Sequence, residues 1–202
     1  MTTESNTNAF AVQSEVCHGR MKRLSSLFYK GHTFVLWNMT IDERKTGWLD
    51  AEIAWRFREI QLHTLSRFGL MCHSYCLMPD HMHFLWCGLA ESSDQNSAAT
   101  FFRRHMNAVL GDRGVKFQRQ PWDAVLKEKD RERDAVLRAA FYVVENPARA
   151  GLVSESRDWP YSGSQVAGYP RFDWRDADFP EKVWRIYDAE IRRLRGVSIE
   201  ET

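Results

Sequence analysis

Apolar positions recur along this chain with two periods, alternate residues in some stretches and every third or fourth in others, and the switches between them predict its elements. Phe34-Val35-Leu36-Trp37 and the residues after it read as a first strand. Asp50 is a good helix N-cap, and Ile53, Phe57, Ile60, Leu62 and Leu65 form a helical stripe that ends near Gly69. Leu70 to Met78 reads as a second strand, Pro79-Asp80 as a tight turn and His81 to Leu89 as a third strand, so 70–89 is a hairpin. After a polar loop at 91–97, Phe101, Phe102, Met106 and Leu110 mark a second helix over about Ala98 to Leu110, broken by Gly111 and Gly114.

A short strand over Trp122 to Lys127 and a third helix over Asp130 to Glu145 follow, the helix stopping before Pro147. Residues 148–170 look irregular, and Pro180 to Arg195 reads as an amphipathic charged helix with Val183, Trp184, Ile186, Tyr187 and Ile191 on its apolar side. No internal repeat is present. Helices alternating with strands around a central hairpin predict an α+β fold, a ferredoxin-like antiparallel sheet with helices packed on one face.

Composition narrows the class. The chain has 202 residues, 44% hydrophobic and 13% aromatic, which suits one domain with tails and excludes a wholly disordered chain. A flexible segment is expected over 1–20, which is rich in Ser, Thr and Asn, and a helical extension over 171–202. A net charge of +1 gives no strong global field, so any contact with nucleic acid has to come from local patches. Cys17, Cys72, Cys76 and Cys87 have no framework spacing and read as free thiols in a reducing compartment. With no apolar signal core in Met1 to Ser14 and no stretch of membrane-spanning length, a cytoplasmic protein is expected.

The chemistry concentrates at His81 and His83. On a strand, residues two apart point the same way, about 7 Å apart along the backbone, so both imidazoles can lean onto one cation. Two satisfied histidines at a hairpin end would be the plain reading of either residue alone. Together, right after a turn, they favour a divalent cation, and two are too few to close a zinc site. Cys72 and Cys76 could complete a local set, sharing a strand face, but four strand residues put them about 13 Å apart. Tyr142 and Asn146 share a helical face one turn apart. They offer a phenol and an amide oxygen, which a hard ion such as Mg²⁺ or Mn²⁺ accepts beside imidazole. Taken alone, Tyr142 reads as a core residue of an amphipathic helix and Asn146 as a cap before Pro147.

Three segments change that balance. Residues 75–83, Tyr-Cys-Leu-Met-Pro-Asp-His-Met-His, resemble the HUH motif of single-tyrosine transposases, two histidines flanking a bulky apolar residue, here Met82. Residues 141–153, Phe-Tyr-Val-Val-Glu-Asn-Pro-Ala-Arg-Ala-Gly-Leu-Val, resemble the tyrosine helix of that group. Trp159-Pro160-Tyr161-Ser162 resembles a run found in its REP-associated branch. The resemblance extends over about residues 30–165 and implies an HUH transposase-like catalytic domain within 21–170. It implies that His81 and His83 ligate a metal, that Asn146 adds a further ligand and that Tyr142 is the nucleophile. The activity implied is Mg²⁺- or Mn²⁺-dependent cleavage and transfer of single-stranded DNA beside imperfect hairpins, through a 5′-phosphotyrosine that leaves a free 3′-hydroxyl.

DNA contacts are expected from Arg103 and Arg104 on the second helix, Arg119 after it, and Arg138 one turn before Tyr142, near Phe101, Phe102, Phe117 and Trp122. Tyr75 and Tyr161 lack an Asn or Gln one turn later and are expected to be structural. The alternatives are a structure-specific DNA-binding protein derived from a transposase with little turnover, and a small metal-binding structural domain. A monomer is expected ahead of a homodimer.

Overall fold

A computed structural model describes residues 24–126, 132–170 and 173–196. The expected flexible segment 1–20 and the charged run 127–131 lie outside them, together with the proposed start of the third helix at Asp130.

The regular elements are β1 (Phe34–Thr40), α1 (Ala51–Phe68), β2 (Leu70–Met78), β3 (His81–Gly88), α2 (Gln95–Gly111), β4 (Trp122–Val125), α3 (Arg133–Val144), α4 (Asn146–Arg149), β5 (Ser162–Gln165) and α5 (Phe179–Leu194). The five strands form one antiparallel sheet in the order β4-β1-β3-β2-β5. The β-α-β-β-α-β run from β1 to β4 thus has its strands in the order 4-1-3-2 of ferredoxin-like folds. α1 starts and stops where its sequence dictates. Asp50 accepts the N–H of Ile53 at 2.9 Å, and Gly69 closes the helix in the left-handed region at φ 60°.

Helices cover both faces of the sheet, in departure from the one face expected. On the first, Val35, Trp37, Met39, Met82, Phe84 and Trp86 pack under α1 and α2, against Ile53, Phe57, Leu65, Phe102 and Met106. On the second, Phe34, Met71, Leu85 and Cys87 pack under α3 and α5, against Val136, Ala140, Val143, Phe179 and Val183. The cause lies in β2 and β3, where both sets of alternate residues are apolar, so that each face needs a cover. The C-terminal segment therefore contributes α5 to the second core.

β5 is a strand within the stretch expected to be irregular. Ser162-Gly163-Ser164-Gln165 has little intrinsic strand preference, and pairing with β2 imposes the extended form. Gly163 is required there because a Cβ would meet the Tyr75 hydroxyl at 2.6 Å.

His73, on β2, is fully buried among the rings of Phe34, Trp184 and Tyr187, and neither ring nitrogen has a hydrogen-bond partner among the described residues. Burial pushes its pKa from 6.5 down to about 3. The unfolded chain binds this proton more readily, so the neutral ring's contribution is complete above pH 6.5 and is lost as pH falls toward 3. His73→Phe should lower the slope of unfolding free energy against pH by about 1.4 kcal/mol per pH unit in that window. Urea titrations at several pH values measure it, and an unchanged slope would show that His73 is not held neutral.

Candidate active site

The hairpin between β2 and β3 turns at Pro79-Asp80, and the Asp80 carbonyl accepts the N–H of Ile41 at 2.9 Å. His81 and His83 point to the α3 side, the side of Leu85 and Cys87. Their rings stand nearly perpendicular, and the two Nε2 atoms are 2.8 Å apart. Asp80 Oδ1 lies 2.5 Å from His81 Nδ1, and Arg44 Nη1 donates to Asp80 Oδ2 at 2.8 Å. Glu43 and Arg44 both adopt positive φ, 55° and 51°, without being glycine. Such a backbone costs on the order of 1–3 kcal/mol per residue, and here it belongs to the turn that brings Arg44 to Asp80.

These contacts set the chemistry of the imidazoles. A carboxylate at His81 Nδ1 fixes the tautomer, with the proton on Nδ1 and the Nε2 lone pair directed at His83. Two nitrogens at 2.8 Å require one proton or one cation between them. Burial lowers the His81 pKa against the opposing pull of Asp80. For His83, burial and then the neighbouring His81 and Arg149 charges lower it to about 3. Both rings are thus neutral at ordinary pH, as cation ligands must be. Burial alone would raise the Asp80 pKa, but the hydrogen bonds from Arg44 and His81 outweigh it and hold the carboxyl below its usual range.

The second half of the site is the end of α3. Pro147 has no N–H, so the Val143 carbonyl one turn back loses its helical donor. The Asn146 side chain replaces it, Nδ2 donating to the carbonyls of both Tyr142 and Val143 at 3.0 Å. Among the described residues no donor reaches Asn146 Oδ1, the atom a hard cation would take. Arg149 Nη2 also donates to the Tyr142 carbonyl, at 2.6 Å, and its guanidinium stacks 3.9 Å from the centre of the Tyr142 ring. The same guanidinium acts electrostatically on His83 and Cys76, which are paired across β2 and β3. Arg149 therefore links the phenol-bearing helix to the histidine strand. Sequence reasoning passed over it, although its place seven residues, about two helical turns, after Tyr142 was a usable signal.

The donor set suits a divalent ion: two neutral imidazoles with converging Nε2 atoms, and an amide oxygen on the adjoining helix end. Among the described residues no three His, Cys, Asp or Glu gather around a common point, so a cation held by His81 and His83 would need a further ligand of another kind, such as an amide oxygen. The cysteine completion is overturned. A bulge between Cys72 and Ser74 shifts the register, so Cys72 enters the core under α1 while Cys76 faces the α3 side. Burial raises both thiol pKa values, that of Cys76 to about 12.

The arginines expected at DNA are spread out. Arg103 donates to the Gln118 and Arg119 carbonyls and lies over Phe117, so it braces the segment that carries the exposed Arg119. That segment adjoins the end of β1, where Gln118 N–H meets the Thr40 carbonyl and Thr40 pairs with His81. Arg104 is exposed on α2, across the sheet from His81 and His83, and Arg138 is exposed on α3. Tyr75 packs on Phe57, and the Trp159-Pro160-Tyr161 run is fastened to β2 by Trp159 Nε1 on the Leu77 carbonyl at 2.9 Å.

No protein-family model matches the sequence, and neither does any curated protein. Among solved structures, a REP-associated tyrosine transposase bound to a REP hairpin is similar, with a TM-score of 0.58 and 19% sequence identity over 71% of this chain and 81% of that one. The likeness expected from the three motifs holds at the level of architecture: this chain has a fold similar to that of a REP-associated tyrosine transposase.

Proposed function

We propose that this protein cleaves single-stranded DNA beside a hairpin and transfers the strand, with Tyr142 as nucleophile and His81, His83 and Asn146 as ligands of Mg²⁺ or Mn²⁺. The observation that carries this reading is the pairing of the two histidine Nε2 atoms at 2.8 Å on the sheet face covered by the tyrosine helix. The similar structure, which contains a hairpin, supports the choice of DNA substrate.

The reaction divides among the residues as follows. Asp80, held by Arg44, orients His81, so the ligand nitrogens are set before DNA arrives. Arg149 holds the Tyr142 ring and adds positive charge beside His83, where an anionic phosphodiester is favoured. The Tyr142 oxygen attacks phosphorus and loses its proton to solvent. The bond to the departing 3′-oxygen breaks, and the phosphate stays on the tyrosine. A bound divalent cation would neutralise a phosphate oxygen and align it for in-line attack. Attack by a 3′-hydroxyl on the phosphotyrosine reverses the step and joins strands without a nucleotide cofactor.

Tyrosine helix and histidine strand pack within one chain, which favours a monomer. No described helix is long and apolar enough to cross a membrane, in keeping with a protein that meets DNA in the cytoplasm. Incubation with a single-stranded hairpin and Mn²⁺ should yield a protein–DNA adduct stable to denaturant and absent with chelator. Tight hairpin binding without an adduct, under Mg²⁺ and Mn²⁺ alike, would instead mark a DNA-binding protein derived from a transposase.

A further inference from the structure

The outer surface of the α1–α2 layer carries a basic cluster that the proposed chemistry does not use. A cleft of about 430 Å³ lies between the last turn of α1 and the first turns of α2, lined by Arg67, Phe68, Asn96, Thr100, Phe101 and Arg104 among others. Two guanidinium groups share the Phe101 ring, Arg67 at 5.3 Å and Arg104 at 5.7 Å from its centre. His105 lies 4.3 Å from the same ring and His63 lies 6.2 Å from it. Among the described residues neither Arg67 nor Arg104 has a carboxylate partner, whereas Arg44, Arg113, Arg133, Arg175 and Arg193 are each paired with one at 2.7–3.0 Å. α2 contains no Asp or Glu, and Asp94, which caps it, is turned to the N–H of Ser97 at 3.0 Å.

Like charges gathered on one ring repel each other unless an anion joins them. Arginines presented on aromatic rings suit a phosphate backbone better than a single small ion, since several charges line the cleft at once. The position is informative as well. Arg67 and Phe68 immediately precede Gly69, and β2 begins at Leu70, paired with Gly88, while His81 pairs with Met78 at the other end of that strand. Nine strand residues separate the cleft from the histidines by roughly 25–30 Å, and the cleft lies on the opposite face.

We infer that this cleft is a second DNA contact, one that grips backbone phosphates remote from the phosphate that is cut, through Arg67 and Arg104 on Phe101. The inference rests on the DNA reading above and adds a length requirement. DNA reaches the cleft only when it extends beyond the active site by roughly ten base pairs at 3.4 Å each.

The test compares two fluorescent hairpins, one with a short stem and one with its stem lengthened by about ten base pairs. Affinity is read by anisotropy over a range of salt, and adduct formation is scored in parallel. The wild type should bind the long hairpin more tightly. The double variant R67Q/R104Q, altered only at exposed positions, should bind the short hairpin as the wild type does. It should lose about tenfold on the long one, with a salt slope smaller by about one to two. Arg67→Glu should weaken the long hairpin similarly or further. Equal affinity and slope for the double variant and wild type on the long hairpin would overturn the inference, as would equal losses on both hairpins. If adducts form while the long-stem preference survives in the double variant, the cleft fails and the strand-transfer reading stands. If the preference depends on these arginines while no adduct forms, the cleft stands and that reading fails.

Discussion

The Tyr142→Phe variant is expected to fold, to bind hairpin DNA as the parent chain does, and to form no covalent adduct with it. The substitution removes one oxygen atom. The ring keeps its stacking on Arg149, and the Tyr142 carbonyl keeps its bonds from Asn146 and Arg149. No hydrogen bond to the hydroxyl is found among the described residues, and the ring is only partly buried, so the stability change should stay within about 0.5 kcal/mol. The chemistry has no comparable reserve. Without the phenol oxygen only water can attack phosphorus, and cleavage should fall on the order of 10⁴-fold or more. Denaturing gels with labelled hairpin DNA read the adduct, and anisotropy reads binding. Persistence of the adduct would assign the attack to another residue.

The second large effect belongs to His83. His83→Ala removes one of two converging nitrogens and leaves His81 Nε2 facing a gap at a site only 7% exposed. Metal-dependent cleavage should drop by about 10²–10³-fold, and the Mn²⁺ concentration needed for half-maximal rate should rise sharply. Truncation in a packed position also costs stability, about 1–3 kcal/mol. The rates should therefore be compared at temperatures where both chains are folded. An unchanged Mn²⁺ dependence would place the cation elsewhere.

The strands and the hairpin were legible because β1, β2 and β3 are dense in aromatic, aliphatic and sulfur-bearing apolar residues and the hairpin turns at Pro79-Asp80. The cap at Asp50 and the stop at Gly69 followed from local chemistry. The histidine pair was legible because it interrupts an apolar alternation. Other features were set by tertiary contacts that spacing does not encode. α2 begins at Gln95, inside the loop expected at 91–97, because Gln95 is buried and bonds the Trp37 indole and the Thr33 carbonyl. The bulge at Cys72 reverses which side Cys76 faces, and a two-residue count misses it. The second helical cover was in fact written in β3, where Leu85 and Cys87 are as apolar as Phe84 and Trp86. The links Arg44–Asp80 and Arg149–Tyr142 join a strained turn to a hairpin and a helix end to a ring, and only the folded chain displays them.

A direct measurement of the central claim is available because trypsin should release residues 139–149, Ala-Ala-Phe-Tyr-Val-Val-Glu-Asn-Pro-Ala-Arg, in which Tyr142 is the sole tyrosine. The protein is incubated with hairpin DNA and Mn²⁺, digested with nuclease and trypsin, and analysed by mass spectrometry. Strand transfer by convergence of the histidine strand and the tyrosine helix predicts a 5′-nucleotide esterified to this peptide at Tyr142, with the released strand ending in a 3′-hydroxyl. A nucleotide on the peptide containing Tyr161, or cut DNA with every tyrosine unmodified, would contradict it.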